Sequence, residues 1–398
     1  MKMPTAGTPF TFSDIIAAKL GFFSSDRTIK DFEEQLSGYF NTNHVALVNS
    51  GTTACYILLE YLKSQRKNAQ QTEIIMTNYT APSLILPIKK AGLECVVVDT
   101  SEVDFNINIE QIQKHISEKT LAIMPIHMFG IPTNVKKIQT IVADSDIFIL
   151  EDAASSLGSQ INDKHAGTIA DFGFYSLNRG KNISTLSGGI ITWQKDQDST
   201  GIRERVAQLP DLKTTARLKM ILKFFALTLA VRPLFYTILN PLISKFKYTT
   251  LHDDFESFAY SAFQAAIGKN LWKRERSLTQ TRIDNARKLT AIFSPVKETQ
   301  IPKIPDNYTV AYNQFPIVIR DLRKRSQFEK KLSEEGIETT RLYEKTLAQI
   351  YPEFIKNSAE VFPNSEYLAD HLLLIPPHPQ IKGRHLNKIQ KIAESLFS

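Results

Sequence analysis

Lys181 lies in a polar loop, Asn178-Arg179-Gly180-Lys181-Asn182, between two short apolar runs, Phe172–Leu177 and Ile190–Trp193. A lysine amine in such a setting can attack a carbonyl once its surroundings favour the neutral form, so the chemistry on offer is imine formation and proton transfer. Two carboxylates, Glu151 and Asp152, come before it, at the end of the apolar run Ile147–Leu150. Ser176 stands five positions before the lysine, and a Gly188-Gly189 pair follows. Taken singly, each has an ordinary explanation. A strand ending in Glu-Asp is most often a helix cap or a solvated loop, and a loop lysine beside an arginine is usually solvated. The order carries the argument: acid after a strand, hydroxyl after the next strand, then lysine, then glycines. In an open α/β sheet, ligands sit at the carboxyl ends of strands, which points both acids toward a site.

The elements that must position these groups are legible around them. The run Val45–Val48 reads as a strand and Cys55–Leu62 as an apolar helix, joined by Asn49-Ser50-Gly51-Thr52-Thr53-Ala54. Free amides and the helix dipole make such a turn an anion site, although a plain Ser-capped helix has the same spelling. Strand and helix signals then alternate: Glu73–Met76, Ser83–Lys90, Cys95–Val98, Ile109–His115, Leu121–Pro125 and Asn134–Val142. That alternation predicts an α/β fold with a mostly parallel sheet between helices. A helix is expected over Ile29–Phe40 and a long one over Tyr260–Leu289. A small α/β unit follows, with a strand over Tyr312–Ile319, helices over Gln327–Glu335 and Leu386–Leu396, and a strand at Leu372–Ile375. His127 reads as a core or strand-end histidine.

The ordered set resembles the active-site segment of the DegT/StrS-type sugar aminotransferases, pyridoxal-phosphate (PLP) enzymes of the aspartate-aminotransferase fold type. Their pattern, roughly E-D-x-A, then D-x-x-(F/Y)-S-(F/L)-x-x-x-K-N, then G-G, is similar to Glu151-Asp152-Ala153-Ala154, Asp171…Phe174-Tyr175-Ser176-Leu177, Lys181-Asn182 and Gly188-Gly189. The resemblance implies PLP-dependent transferase fold type I. A large PLP-binding domain would span 1–250 and a connecting helix with a small C-terminal domain 251–398. It implies that Lys181 holds PLP covalently and carries a proton between carbons, and that Asp152 pairs with the ring nitrogen. Gly51, Thr52 and Ser176 take the cofactor phosphate, and Ser155 stands near the cofactor hydroxyl. The implied activity is transfer of an amino group, from glutamate, to a nucleotide-linked keto-sugar for surface polysaccharide or amino-sugar synthesis, by a homodimer. Relatives with histidine in place of this lysine perform dehydration, which Lys181 argues against.

The chain departs from the family at several places. Ala81 stands where an aromatic ring usually stacks on PLP, with Tyr79 the nearby substitute; Ser155 replaces a glutamine. In the substrate loop Tyr343 matches, but Leu342 replaces a histidine and Glu344 a proline. Ser257 and Ala259 occupy the places of an asparagine and an arginine that reach a neighbouring subunit. Tyr79 and Tyr343 are the candidate substrate contacts. The alternatives are a PLP enzyme on another carbonyl substrate, lipid-linked among them, and a non-catalytic relative.

Composition bounds the rest. The 398 residues carry a net charge of +7 and are 42% hydrophobic. A basic balance suits phosphate-bearing ligands or an anionic membrane surface. No zinc spacing or aromatic-interleaved basic motif points to a metal or nucleic acid. Cys55 and Cys95 sit in apolar surroundings, as reduced thiols of a cytoplasmic protein would. The N-terminus lacks the apolar core of a signal peptide. The segment 206–250 is unusual, with apolar runs Met220–Val231 and Leu234–Ile243 broken by Lys223, Arg232, Pro233 and Pro241. It reads either as a buried hairpin at the core or dimer interface, or, through 213–247, as a peripheral membrane contact on the inner face of the membrane.

Overall fold

The computed structural model describes residues 2–397 apart from 6, 8, 9, 23, 231, 233, 234 and 239–250. Its centre is a seven-stranded sheet in the order β1-β9-β8-β5-β4-β2-β3. These strands are β1 (His44–Val48), β2 (Glu73–Thr77), β3 (Glu94–Val98), β4 (Thr120–Ile123), β5 (Phe148–Asp152), β8 (Phe172–Ser176) and β9 (Gly189–Trp193). Short ribbons β6 (Gln160–Ile161) and β7 (Lys164–His165) lie between β5 and β8 in the chain. Only β9 runs against its neighbours, pairing antiparallel with both β8 and β1. The continuous apolar spelling of β2, β8 and β9 follows from this layering, because every residue of each is buried. Parallel neighbours need crossovers, supplied by the helices Gly51–Gln65, Ile85–Lys90, Ile109–His115 and Val135–Ile141.

The small sheet is antiparallel, in the order β10 (Thr299–Gln300), β12 (Phe315–Ile319), β13 (Leu372–Ile375). The helices Leu322–Glu334 and Pro363–His371 pack on it, and Gly383–Phe397 packs on the helix Leu322–Glu334. A third ribbon joins β11 (Tyr308–Thr309) to β6 and β7. One hydrophobic core runs from Ile74 and Val97 of the large sheet to Ile317 and Leu373 of the small one. Cys55 and Cys95 are free thiols inside it.

The long helix expected over Tyr260–Leu289 is two helices, Ala262–Trp272 and Glu275–Phe293. Arg274 leaves helical geometry at φ −115°, ψ 1°, and its guanidinium reaches back 2.6 Å to the buried Asp14. The first piece packs on the helices Phe12–Gly21 and Arg27–Phe40 beside the large sheet. The run Met220–Val231 falls largely in the helix Thr214–Ala230, which buries Phe224 and Thr228. Most of the second run, Leu234–Ile243, lies outside the described residues, as does the expected domain boundary at residue 250.

Candidate active site

Three strand ends and one loop form the site. β5 and β8 are parallel neighbours, with Asp152 opposite Phe174, so Asp152 and Ser176 leave the sheet at the same edge. Ser50 caps the helix Gly51–Gln65, its Oγ accepting from the Thr53 amide at 3.1 Å. The Gly51 and Thr52 amides therefore lie in the first turn, where no carbonyl of the helix can accept from them. A Cβ on Gly51 would stand 3.0 Å from Ser176 Cβ, and one on Gly189 would stand 2.2 Å from the Ser50 carbonyl oxygen. The two glycines let the helix start close onto the ends of β8 and β9. Backbone donors and a hydroxyl converge there, in a cradle suited to phosphate.

Glu151 and Asp152 do not both face the site. Consecutive residues of a strand point to opposite faces. Glu151 turns away and is fully buried, accepting from the amides of Gly167 (2.8 Å), Ile169 (2.7 Å) and Ala170 (2.6 Å). His127 Nε2 donates to the same carboxylate at 3.0 Å, because its Nδ1 already accepts from the Thr133 amide. This corrects the expectation that both acids serve one site: Glu151 anchors the loop 166–170, and His127 is its structural partner.

Asp152 lines a cavity of about 230 Å³ whose walls include Lys181, Ser155, Ala81 and Tyr343. Burial holds the Asp152 carboxyl above the usual carboxylate range, against the Ala154 amide (2.8 Å), Lys181 and His127. Burial pushes the Lys181 ammonium down, while the Asp152 charge pulls it back. Lys181 Nζ donates to Ser155 Oγ at 2.9 Å. An amine depressed in this way is nearer its nucleophilic form than a solvated lysine. Its loop is pinned from outside: the Asn182 amide donates to the carbonyls of Leu157 (2.8 Å) and Ala311 (2.9 Å), and Ile183 and Leu186 are buried.

Lys181, Asp152, Ser155 and Tyr343 thus come together on one cavity, with Gly51, Thr52 and Ser176 at the same sheet edge beyond its walls. Tyr79 is not brought to that wall. It is fully buried, its hydroxyl 3.3 Å from the Tyr343 carbonyl and its ring edge-on to the Tyr343 ring at 5.7 Å. It supports the loop that carries Tyr343, and Thr80 and Ala81 face the cavity instead. Ser257 lies 3.4 Å from Thr53 Oγ1, behind the cradle. Asn313 and Gln314 also line the cavity, each with a buried side-chain oxygen that accepts no hydrogen bond among the described residues. The sequence reading missed them, since they reach the site from the distant start of β12 and belong to no local pattern.

The family model of the DegT/DnrJ/EryC1/StrS aminotransferases matches residues 15–212 and 256–396. An uncharacterized protein of Methanocaldococcus jannaschii is 26% identical over 359 residues, covering 89% of this chain and 86% of its own. The GDP-4-keto-6-deoxy-D-mannose 3-dehydratase of Yersinia pseudotuberculosis is 29% identical over 171 residues, 42% of this chain and 44% of its own, so that match spans less than half of each protein. The sugar aminotransferase structure from Micromonospora echinospora superposes with a TM-score of 0.79 at 18% identity, covering 99% of both chains, and shows the same fold.

The residues present fit the family's cofactor. A buried carboxyl held above its usual range gains from a cationic partner, which a protonated ring nitrogen supplies. The glycine cradle suits a phosphate, and a desolvated lysine suits an aldehyde. The chain belongs to the DegT/DnrJ/EryC1/StrS aminotransferase family, whose enzymes work with pyridoxal phosphate.

Proposed function

We propose that this protein transfers an amino group from glutamate to a keto-sugar carried on a nucleotide, as a step toward an amino-sugar of a surface polysaccharide or a glycosylated metabolite. The observation that carries the reading is the desolvated Lys181 amine facing the Asp152 carboxyl across one cavity. The partly matched Yersinia dehydratase is named for a GDP-linked keto-sugar, which favours a nucleotide-linked substrate. Lysine at position 181 favours amination over dehydration.

Pyridoxal phosphate, when bound, supplies an electron sink for the carbon that gains or loses the amino group. The Gly51 and Thr52 amides and the Ser176 hydroxyl would hold its phosphate. Asp152 would keep a proton on the ring nitrogen. Lys181 would hold the aldehyde end and, once the amino donor displaces it, move a proton between substrate and cofactor carbons. Ser155 orients that amine, and Tyr343 borders the acceptor.

We place the reaction in the cytoplasm and expect a homodimer, since sites of this fold type lie between subunits. The test is incubation of the purified protein with PLP, 15N-glutamate and a panel of nucleotide-linked keto-sugars, followed by mass spectrometry. A 15N-labelled amino-sugar supports the reading. Formation of 2-oxoglutarate with no sugar aminated across the panel points to another carbonyl acceptor.

A further inference from the structure

The matched family model stops at residue 212 and resumes at 256. From Leu212 to His252 the chain contains seven lysines and arginines and no aspartate or glutamate. The described part of this segment is chiefly the helix Thr214–Ala230. Its inner side buries Phe224 and Thr228, while Leu218 and Leu222, one turn apart, are 56% and 62% exposed. Lys219 and Lys223 are exposed on the same helix, while Arg217, seven residues before Phe224, lies toward its inner side.

This helix lies beside Phe12–Gly21. Phe10 meets Phe224 edge-on at 5.1 Å, while Gly21 and Phe22 share a cavity with Arg217, Asp26 and Asp211, so the two helices run antiparallel. The neighbouring helix exposes Phe12, Ile16 and Leu20 at four-residue spacing, and Phe22 follows. Its one carboxylate, Asp14, is buried against Arg274. Large apolar side chains in contiguous exposure mark interaction surfaces.

We propose that the face made by the helices Phe12–Gly21 and Thr214–Ala230 rests on an anionic lipid surface. Its leucines and phenylalanines enter the boundary between headgroups and acyl chains, and its cations meet lipid phosphates. A second copy fits less well, because a two-fold contact sets this cationic strip against itself. The contact lies in the plane of the surface: among the described residues no helix is long and apolar enough to cross a membrane. The same helix packs through Phe224 onto the cluster holding Ile183 and Leu186, so the lipid contact adjoins the loop that carries Lys181.

The test is co-sedimentation of the full PLP-loaded chain with vesicles of phosphatidylcholine alone and of equimolar phosphatidylglycerol and phosphatidylcholine. Pelleting with the anionic vesicles only, weakened by salt, is expected. Leu218→Glu with Leu222→Glu, and separately Lys219→Glu with Lys223→Glu, should each lower the bound fraction about tenfold or more. Circular dichroism and the reaction with glutamate should stay at wild-type levels. Equal recovery in the supernatant with and without anionic vesicles overturns the proposal, as does unchanged pelleting of both double variants. Variants that lose dimerisation while still pelleting assign the face to a second copy, and overturn it too.

Discussion

Lys181 Nζ donates a 2.9 Å hydrogen bond to Ser155 Oγ, and this hydroxyl holds the amine over the cavity that Asp152 lines. The bond favours the charged amine, so Ser155→Ala should lower the Lys181 pKa further and loosen its orientation. A hydrogen bond of this kind contributes about 1 kcal/mol, so kcat/KM should fall about fivefold or less. The pH dependence of PLP capture checks it: the variant's profile should move to lower pH, and a shift to higher pH would contradict the assignment.

Asp152→Asn separates catalysis from stability. Burial raises the carboxyl's pKa in the folded state, so its contribution to stability is present below the unfolded value and is lost as pH rises through the folded one. At neutral pH the cofactor-free variant should be at least as stable as wild type, with the comparison turning toward wild type in acid. Its amino transfer should drop about a hundredfold or more, because nothing ionised holds the ring-nitrogen proton. Thermal melts at roughly pH 4 to 8, together with turnover, test both halves.

Glu151→Gln should behave in the opposite way. Gln cannot serve three backbone amides and His127 at once, and a buried partner is left unsatisfied. The expected loss is about 3 kcal/mol or more of folding free energy, seen as a lower urea midpoint. PLP binding by the molecules that remain folded should stay close to wild type, since the side chain faces away from the cavity.

Gly51→Ala tests the phosphate cradle. The added methyl meets Ser176 at 3.0 Å, so the helix start must move off the β8 end by a few tenths of an ångström. PLP affinity should weaken about tenfold or more while the fold survives, as read by cofactor titration and circular dichroism. Gly189→Ala is the harsher change, with 2.2 Å to a backbone oxygen, and should reduce soluble expression.

Much of this site was legible because its parts are local words: a strand ending in Asp152, Ser176 at the next strand end, Lys181 in the following loop, and a Gly-Thr turn at a helix start. The mostly parallel sheet followed from alternating apolar runs. Other features needed three dimensions. Glu151 and Asp152 are adjacent in sequence, and only the pleat of β5 sends one to the site and the other to the loop 166–170. Tyr79 looked like a substitute for the missing stacking ring, yet its bulk is consumed in supporting Tyr343. Asn313 and Gln314 were invisible because no spacing rule links the start of β12 to the end of β5. The break at Arg274 was hidden too, as the partner of its guanidinium, Asp14, lies near the other end of the chain.

The central claim is that Lys181 binds pyridoxal phosphate and serves amino transfer. It is tested most directly by the visible absorption spectrum of the purified protein with PLP, before and after glutamate, beside Lys181→Ala. The expected result is the absorption band of lysine-bound cofactor in the wild type, bleached by glutamate and missing from the variant. Absence of any such band at saturating PLP, or a band that persists unchanged in Lys181→Ala, would contradict it.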